Sequence, residues 1–164
     1  MKTGILSDIH GNLESLDAVL GELRREGVDR LWCLGDIVGY GANPNECIER
    51  VREAASITVL GNHDAACAGM ESATSFNPAA KAAVEWTARQ LTPENRDWLK
   101  GLPMTEPVED LLLVHASPHE PAAWHYIHSR IRPVDMQLAF AATVARVSFV
   151  GHSHQQMVLV QRGG

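Results

Sequence analysis

Five short clusters in this 164-residue chain carry residue types that can do chemistry: Asp8-Ile9-His10, Gly35-Asp36, Gly61-Asn62-His63-Asp64, His115 and Gly151-His152-Ser153-His154. Carboxylate, imidazole and amide oxygen are ligands that Mn, Fe, Zn or Ni accept, so the set suits two divalent ions. Two ions in one site need a bridging group. Such a pair sits on the order of 3.5 to 4 Å apart and can lower the pKa of water, grip phosphoryl oxygens and stabilise transition-state charge. Any one cluster alone reads as a capping aspartate or a hydrogen-bonded core histidine. Five in order, each after a strand-like run, call for one common explanation.

The elements that must position these residues alternate as strand, loop and helix. Residues 3–7 read as a strand, followed by a helix opened by Asn12 and closed by Gly27, with Leu13, Leu16, Val19, Leu20 and Leu23 on one face. A second strand over 30–34 ends at Gly35-Asp36, and Asn43-Pro44 starts a second helix. A third strand over 57–60 ends at Gly61-Asn62-His63-Asp64. Asn77-Pro78 and Thr92-Pro93 open further helices within 77–101, a segment expected to cover the sheet. Strands at 111–114 and 147–150 run into His115 and His152, and 157–160 reads as one more. Polar residues just beyond strand C-termini are where open parallel sheets form ligand crevices. On strand-like segments, alternate residues point the same way, so DxH at 8–10 and HxH at 152–154 are each expected to aim two side chains at one region.

The order DxH, GD, GNH with an acidic residue, lone His and GHxH resembles the calcineurin-like metallophosphoesterase family, and the likeness runs over almost the whole chain. It implies a four-layer α/β/β/α sandwich forming a single domain over 1–164, with family strands missing at the C-terminus. It implies Asp36 as the bridging carboxylate, Asp8, His10 and His154 on one metal, and Asn62, His115 and His152 on the other. The implied reaction is attack on a phosphodiester or small phosphomonoester by a metal-bridging hydroxide, with His63 near the leaving oxygen as acid or charge stabiliser. Two divalent ions are implied as cofactors, Mn first, with Fe, Zn, Ni or Mg as alternatives. A non-catalytic metal-binding scaffold of the same fold and a nucleotide pyrophosphohydrolase are the competing readings; a scaffold has no need of His63.

One departure narrows the likeness. The phosphoprotein phosphatases and their bacterial relatives carry GDxVDRG, where this chain reads Gly35-Asp36-Ile37-Val38-Gly39-Tyr40-Gly41. The aspartate that would orient His63 and the arginine that would hold phosphate are absent, which argues against that subgroup, its symmetrical dinucleoside tetraphosphatases included. Asp64 is the nearest substitute by sequence. The D-I-H-G-N wording and the Gly-rich loop look more like small bacterial phosphodiesterases, so Asn12, Tyr40, Asn43 and His119 are candidate substrate residues. Asn43 reads first as a helix cap. His119, His125 and His128 lie in a Pro- and aromatic-rich loop after His115. Arg130 and Arg132 have the fork geometry for a distal phosphate, though surface placement is the simpler reading. Trp86 and Trp98 read as core.

Composition sets outer bounds. At 45% hydrophobic and 21% charged the chain has material for one globular core. A net charge of -6 argues against stable binding to duplex nucleic acid; for a phosphoester or nucleotide substrate, bound metal could supply the positive charge locally. Three unpaired cysteines, with no signal-peptide pattern and no apolar run of membrane-spanning length, point to a cytoplasmic protein without a membrane partner. A last strand near the C-terminus leaves a sheet edge open, which a second copy in a homo-oligomer would cover.

Overall fold

A computed structural model describes residues 1–161. The first half is built of repeated strand-helix units: β1 (Thr3–Leu6), α1 (Leu13–Arg25), β2 (Arg30–Cys33), α2 (Pro44–Ala54), β3 (Ile57–Thr58) and α3 (Asn62–Ala68). The three strands form a parallel sheet in the order β1-β2-β3, with Gly4 paired to Leu31 and Trp32 to Ile57. Sequential parallel strands joined by right-handed crossovers put their helices on one face. Helices α4 (Pro78–Gln90) and α5 (Pro93–Lys100) add to that layer by packing on α3.

The second half gives β4 (Thr105–Val108), β5 (Leu111–Val114), α6 (Pro133–Ala141) and β6 (Val147–Phe149). They form a second sheet, β4-β5-β6, antiparallel between the first pair and parallel between the last. Strand β2 shows how the sheets stack, because successive side chains face opposite ways. Leu31 and Cys33 join the core under the helices, whereas Trp32 and Leu34 join Val59, Leu113 and Phe149 between the sheets. A helix layer and two sheets are thus stacked as the four-layer expectation requires; of α6, only Ala139 is buried.

Several local expectations are corrected. Residues 157–160 carry no strand, and Val158 and Val160 are exposed. An apolar run alone does not make a strand where no neighbour pairs with it. Val19 is exposed on α1 and Trp86 is exposed on α4, while Trp98 packs against the helix-side core. Asn43 sits at the N-cap of α2 without a side-chain cap bond. By contrast, the Oδ1 atoms of Asn12 and Asn77 accept from Ser15 and Ala80 N–H, capping α1 and α4. Among the described residues no helix is long and apolar enough to cross a membrane.

Candidate metal centre

All five clusters lie just past strand ends on one side of the two sheets. They are held there by backbone conformations that strands do not have. Asp8, His10, Asp36, His152 and His154 all have positive φ, between 52° and 64°. The DxH and HxH pairs therefore converge through left-handed turns, not through the alternation of an extended segment. Such backbone costs of order 1 kcal/mol per non-glycine residue, and it gathers at sites where the surroundings over-determine it. Main-chain bonds tie the turns together: Asp8 N donates to Gly35 O at 3.1 Å and His10 N to Asp36 O at 2.9 Å.

Asp36 is buried at the centre. Its Oδ2 lies 3.6 Å from His10 Nε2 and 3.3 Å from His115 Nε2, while its Oδ1 accepts from the backbone N–H of His63 at 2.9 Å. Three groups of possible ligand atoms crowd around it: Asp8, His10 and His154; His10, Asp36 and His63; and Asp36, His115 and His152. His154 Nε2 is 3.1 Å from His10 Nε2 and 3.3 Å from Asp8 Oδ1. Asn62, the first residue of α3, is buried and lines the same cleft.

Three imidazoles are aimed by backbone carbonyls. His10 Nδ1 donates to Val38 O at 3.1 Å, His115 Nδ1 to Leu34 O at 2.7 Å, and His152 Nε2 to Trp124 O at 3.0 Å. Each bond fixes a tautomer and leaves the other ring nitrogen as a lone-pair donor, the usual outer-shell arrangement around a metal. Sequence reading missed Trp124, whose indole N–H also donates to Glu71 at 2.7 Å. Its signal was only the aromatic content of the loop after His115.

The fit to cations rests on atoms left without partners. Among the described residues, Asn62 Oδ1, His115 Nε2 and His63 Nδ1 are buried and have no hydrogen-bond partner. Buried polar atoms are rarely left so, and an ion is one of the few explanations. The electrostatics agree. Burial works against its charge, yet His115, His63 and His10 hold the Asp36 carboxyl well below the usual range. Burial lowers His115 too, but the Asp36 carboxylate outweighs it and lifts the imidazole to about 9. Burial, helped by the neighbouring imidazoles and only partly offset by Asp36, takes His63 and His152 down to about 4. A carboxylate kept ionised and His152 kept neutral suit a divalent ion, while His115, held protonated here by Asp36, would give up its proton to ligate one.

Asp64 does not orient His63. Its Oδ1 accepts from Ile37 and Val38 N–H at 2.9 and 3.1 Å, and its Oδ2 from Gly61 N–H at 3.1 Å. It braces the loop carrying Asp36 against the start of α3, and burial together with Asp36 raises its pKa to about 7. Opposite His63 Nδ1 stands Gly39, at φ +87°, where an added Cβ would come within 2.5 Å of the ring nitrogen. Asp64→Ala leaves three buried N–H groups unpaired and is expected to cost on the order of 3 kcal/mol or more. Asp64→Asn, which keeps one acceptor, should lose less. Urea unfolding of the metal-free variants reads the difference, and an alanine variant as stable as wild type would remove the bracing role.

The cleft above these residues has a volume of about 200 Å³ and is lined by His10, Asp36, Tyr40, Asn62, His63, Tyr126, His152, Ser153 and His154. A larger cleft of about 530 Å³ lies between α1 and α2, but its charges are surface pairs such as Arg50 with Asp17 at 3.0 Å. Of the candidate substrate residues, Tyr40 lines the site. Asn12, Asn43 and His119 lie outside its lining: Asn12 caps α1, and His119 and His125 both face Glu120, at 3.7 and 3.4 Å. Arg132 is engaged with Asp135 through two bonds.

The calcineurin-like phosphoesterase superfamily domain matches residues 1–163. An uncharacterised protein of Methanocaldococcus jannaschii is 39% identical over 97% of this chain and 65% of its own length. The symmetrical bis(5'-nucleosyl)-tetraphosphatase of Sodalis glossinidius is 30% identical over 71% of this chain and 42% of its own. The crystal structure of a metallophosphoesterase from Sphaerobacter thermophilus superposes with a TM-score of 0.78 at 46% identity, covering 94% of this chain and 61% of that one. The chain thus spans less than two thirds of the length of each.

Proposed function

This chain belongs to the calcineurin-like phosphoesterase superfamily, and on that premise we propose that it hydrolyses a phosphodiester or small phosphomonoester with two divalent ions. Asp36 carries the reading. One buried carboxylate lies between His10 on one side and His115 on the other, with Asn62 Oδ1 and His115 Nε2 unpartnered beside it. Asp8, His10 and His154 would hold one ion, Asn62, His115 and His152 the other, and Asp36 both. When bound, the ions supply a grip on phosphoryl oxygens and a lowered pKa for water. Mn is the favoured metal, with Fe, Zn, Ni or Mg as alternatives.

The chain's own residues do the rest. Burial keeps His63 neutral at physiological pH, so it serves as a hydrogen-bond donor to the leaving oxygen and not as a preformed cation. Among the described residues, neither Lys nor Arg lines the cleft. A phosphomonoester dianion would find no guanidinium fork there, which favours the singly charged diester. Cys33, Cys47 and Cys67, all free and buried, support the cytoplasmic reading.

The name of the Sodalis relative favours a second reading, a nucleotide pyrophosphohydrolase. Against it stands Gly39-Tyr40-Gly41, which leaves the phosphate without an arginine at that loop. A metal-binding scaffold is disfavoured by His63, which a scaffold does not need.

Stripping the protein with a chelator should abolish turnover, and adding back Mn, Ni, Zn or Mg should restore it. Rates on 4-nitrophenyl diesters should exceed those on 4-nitrophenyl phosphate. Two bound ions with no turnover of any ester under any metal would leave the scaffold as the correct reading.

A further inference from the structure

The chain has two tyrosines, Tyr40 and Tyr126, and both line the cleft at the metal centre. Both are also exposed, at 48% and 57%. Exposure of a single ring is common by itself, so what matters is that both rings border one cleft. Here the rings are also fixed in place. Tyr126 stacks on His152, with ring centroids 3.8 Å apart and planes 24° apart. Tyr40 meets His10 edge-on at 4.9 Å and leans on His63 at 4.7 Å.

Those imidazoles belong to different sides of Asp36. His10 is on the side of Asp8 and His154, whereas His152 is on the side of His115. Each phenol ring thus packs on an imidazole from a different one of the ligand groups that meet at Asp36, and both line the cleft above it. Tyr40 is held there against its backbone preference, at φ 62° between Gly39 and Gly41. A glycine would be at ease at that position, so the side chain is the reason to look for a use.

The cleft offers no cationic side chain among the described residues. Among the described residues, what the lining offers beyond the possible ligands is neutral: Tyr40, Tyr126 and Ser153. Rigid aromatic planes beside a phosphate are the means by which proteins hold bases without reading them, each stacked base adding roughly tenfold or more in affinity.

We propose that Tyr40 and Tyr126 form an aromatic clamp that selects phosphoesters bearing a planar base next to the phosphate, making nucleoside phosphodiesters the substrate class of this site. The kinetic part of this inference rests on the phosphoesterase reading; the binding part does not.

The test compares thymidylyl-(3′→5′)-thymidine with its abasic counterpart, which shares the diester and the sugar oxygens and lacks only the bases. In the metal-loaded wild type, kcat/KM should favour the dinucleotide by roughly a hundredfold, about tenfold per ring, chiefly through KM. Tyr40→Leu and Tyr126→Leu should each cut that ratio about tenfold, and Tyr40→Phe and Tyr126→Phe should restore it, because the ring and not the hydroxyl does the stacking. The ratio cancels general damage to the site, and metal content reports whether His10 and His152 have kept their places. A ratio near one in the wild type, or one unmoved by both leucine variants, overturns the clamp while the phosphoesterase reading stands on the nitrophenyl esters.

If no ester is turned over under any metal, the hydrolase reading fails and calorimetry decides the clamp. Adenosine 5′-monophosphate should then bind roughly tenfold more tightly than ribose 5-phosphate, with the preference lost in the leucine variants. Equal affinities overturn it.

Discussion

Asp36→Asn is expected to bring metal content from two ions per chain to one or none and to lower turnover by at least about 10³-fold, since both ions' contributions to the transition state go with it. The expectation follows from how little else can replace that carboxylate. Among the described residues, its Oδ2 is the one carboxylate oxygen within 4 Å of both His10 and His115, and its Oδ1 is already committed to His63 N–H. The same oxygen keeps an acceptor in the asparagine variant, so the α3 start should stay in place and the loss should be of metal and not of fold. Room for repositioning is absent, because even a Cβ on Gly61 would collide with the Asp36 amide and Oδ1. Elemental analysis after purification without chelator, paired with circular dichroism and a nitrophenyl diester assay, separates the two. An asparagine variant with both ions and wild-type rates would end the bridging assignment and with it the proposed function.

The convergence of the five clusters was legible because they are short motifs of polar residues placed after apolar runs, and those runs are local. Strands β1, β2 and β5 and helices α1, α2, α4 and α5 were readable from period and caps, each helix starting where Asn12, Asn43, Asn77 or Thr92 stands. Helix α3 was hidden because its first residues are the Asn62-His63-Asp64 cluster itself, and polar residues that ligate or brace leave no apolar stripe. Strand β4 contains Pro107, which weakens a strand reading, and α6 opens at Arg132-Pro133 without a capping side chain.

Geometry within the site was less legible for a deeper reason. Left-handed turns at Asp8, His10, His152 and His154 are tolerated by Asp and His better than by most residues, but that tolerance does not say where such turns fall; tertiary demands decide it. Likewise, the brace made by Asp64 joins residues 37, 38 and 61, and the carbonyl of Trp124 reaches His152 across 28 positions. Long-range backbone bonds of this kind leave no mark in local pattern. The gap left by Gly39 beside His63 was visible as a departure from a motif, yet only the packing shows that the space is filled by the imidazole itself.

That packing determines what the second large effect should look like. His63→Ala removes a ring wedged among His10, Tyr40 and Phe76, but the bond from its backbone N–H to Asp36 Oδ1 remains. Both ions should therefore be retained while kcat falls by about 10² to 10³-fold, the range usual for loss of one positioned donor or acid. The loss should depend on the leaving group. A 4-nitrophenolate carries its own negative charge well and needs little help, whereas an alkyl or nucleoside oxygen must be hydrogen-bonded or protonated as it departs. His63→Ala should accordingly depress alkyl ester hydrolysis at least tenfold more than nitrophenyl ester hydrolysis, and the dependence of rate on leaving-group basicity should steepen. His63→Gln, which keeps a side-chain N–H, should recover part of the alkyl ester rate. Equal losses on both esters with metal intact would place His63 away from the leaving oxygen and give it a role in binding alone.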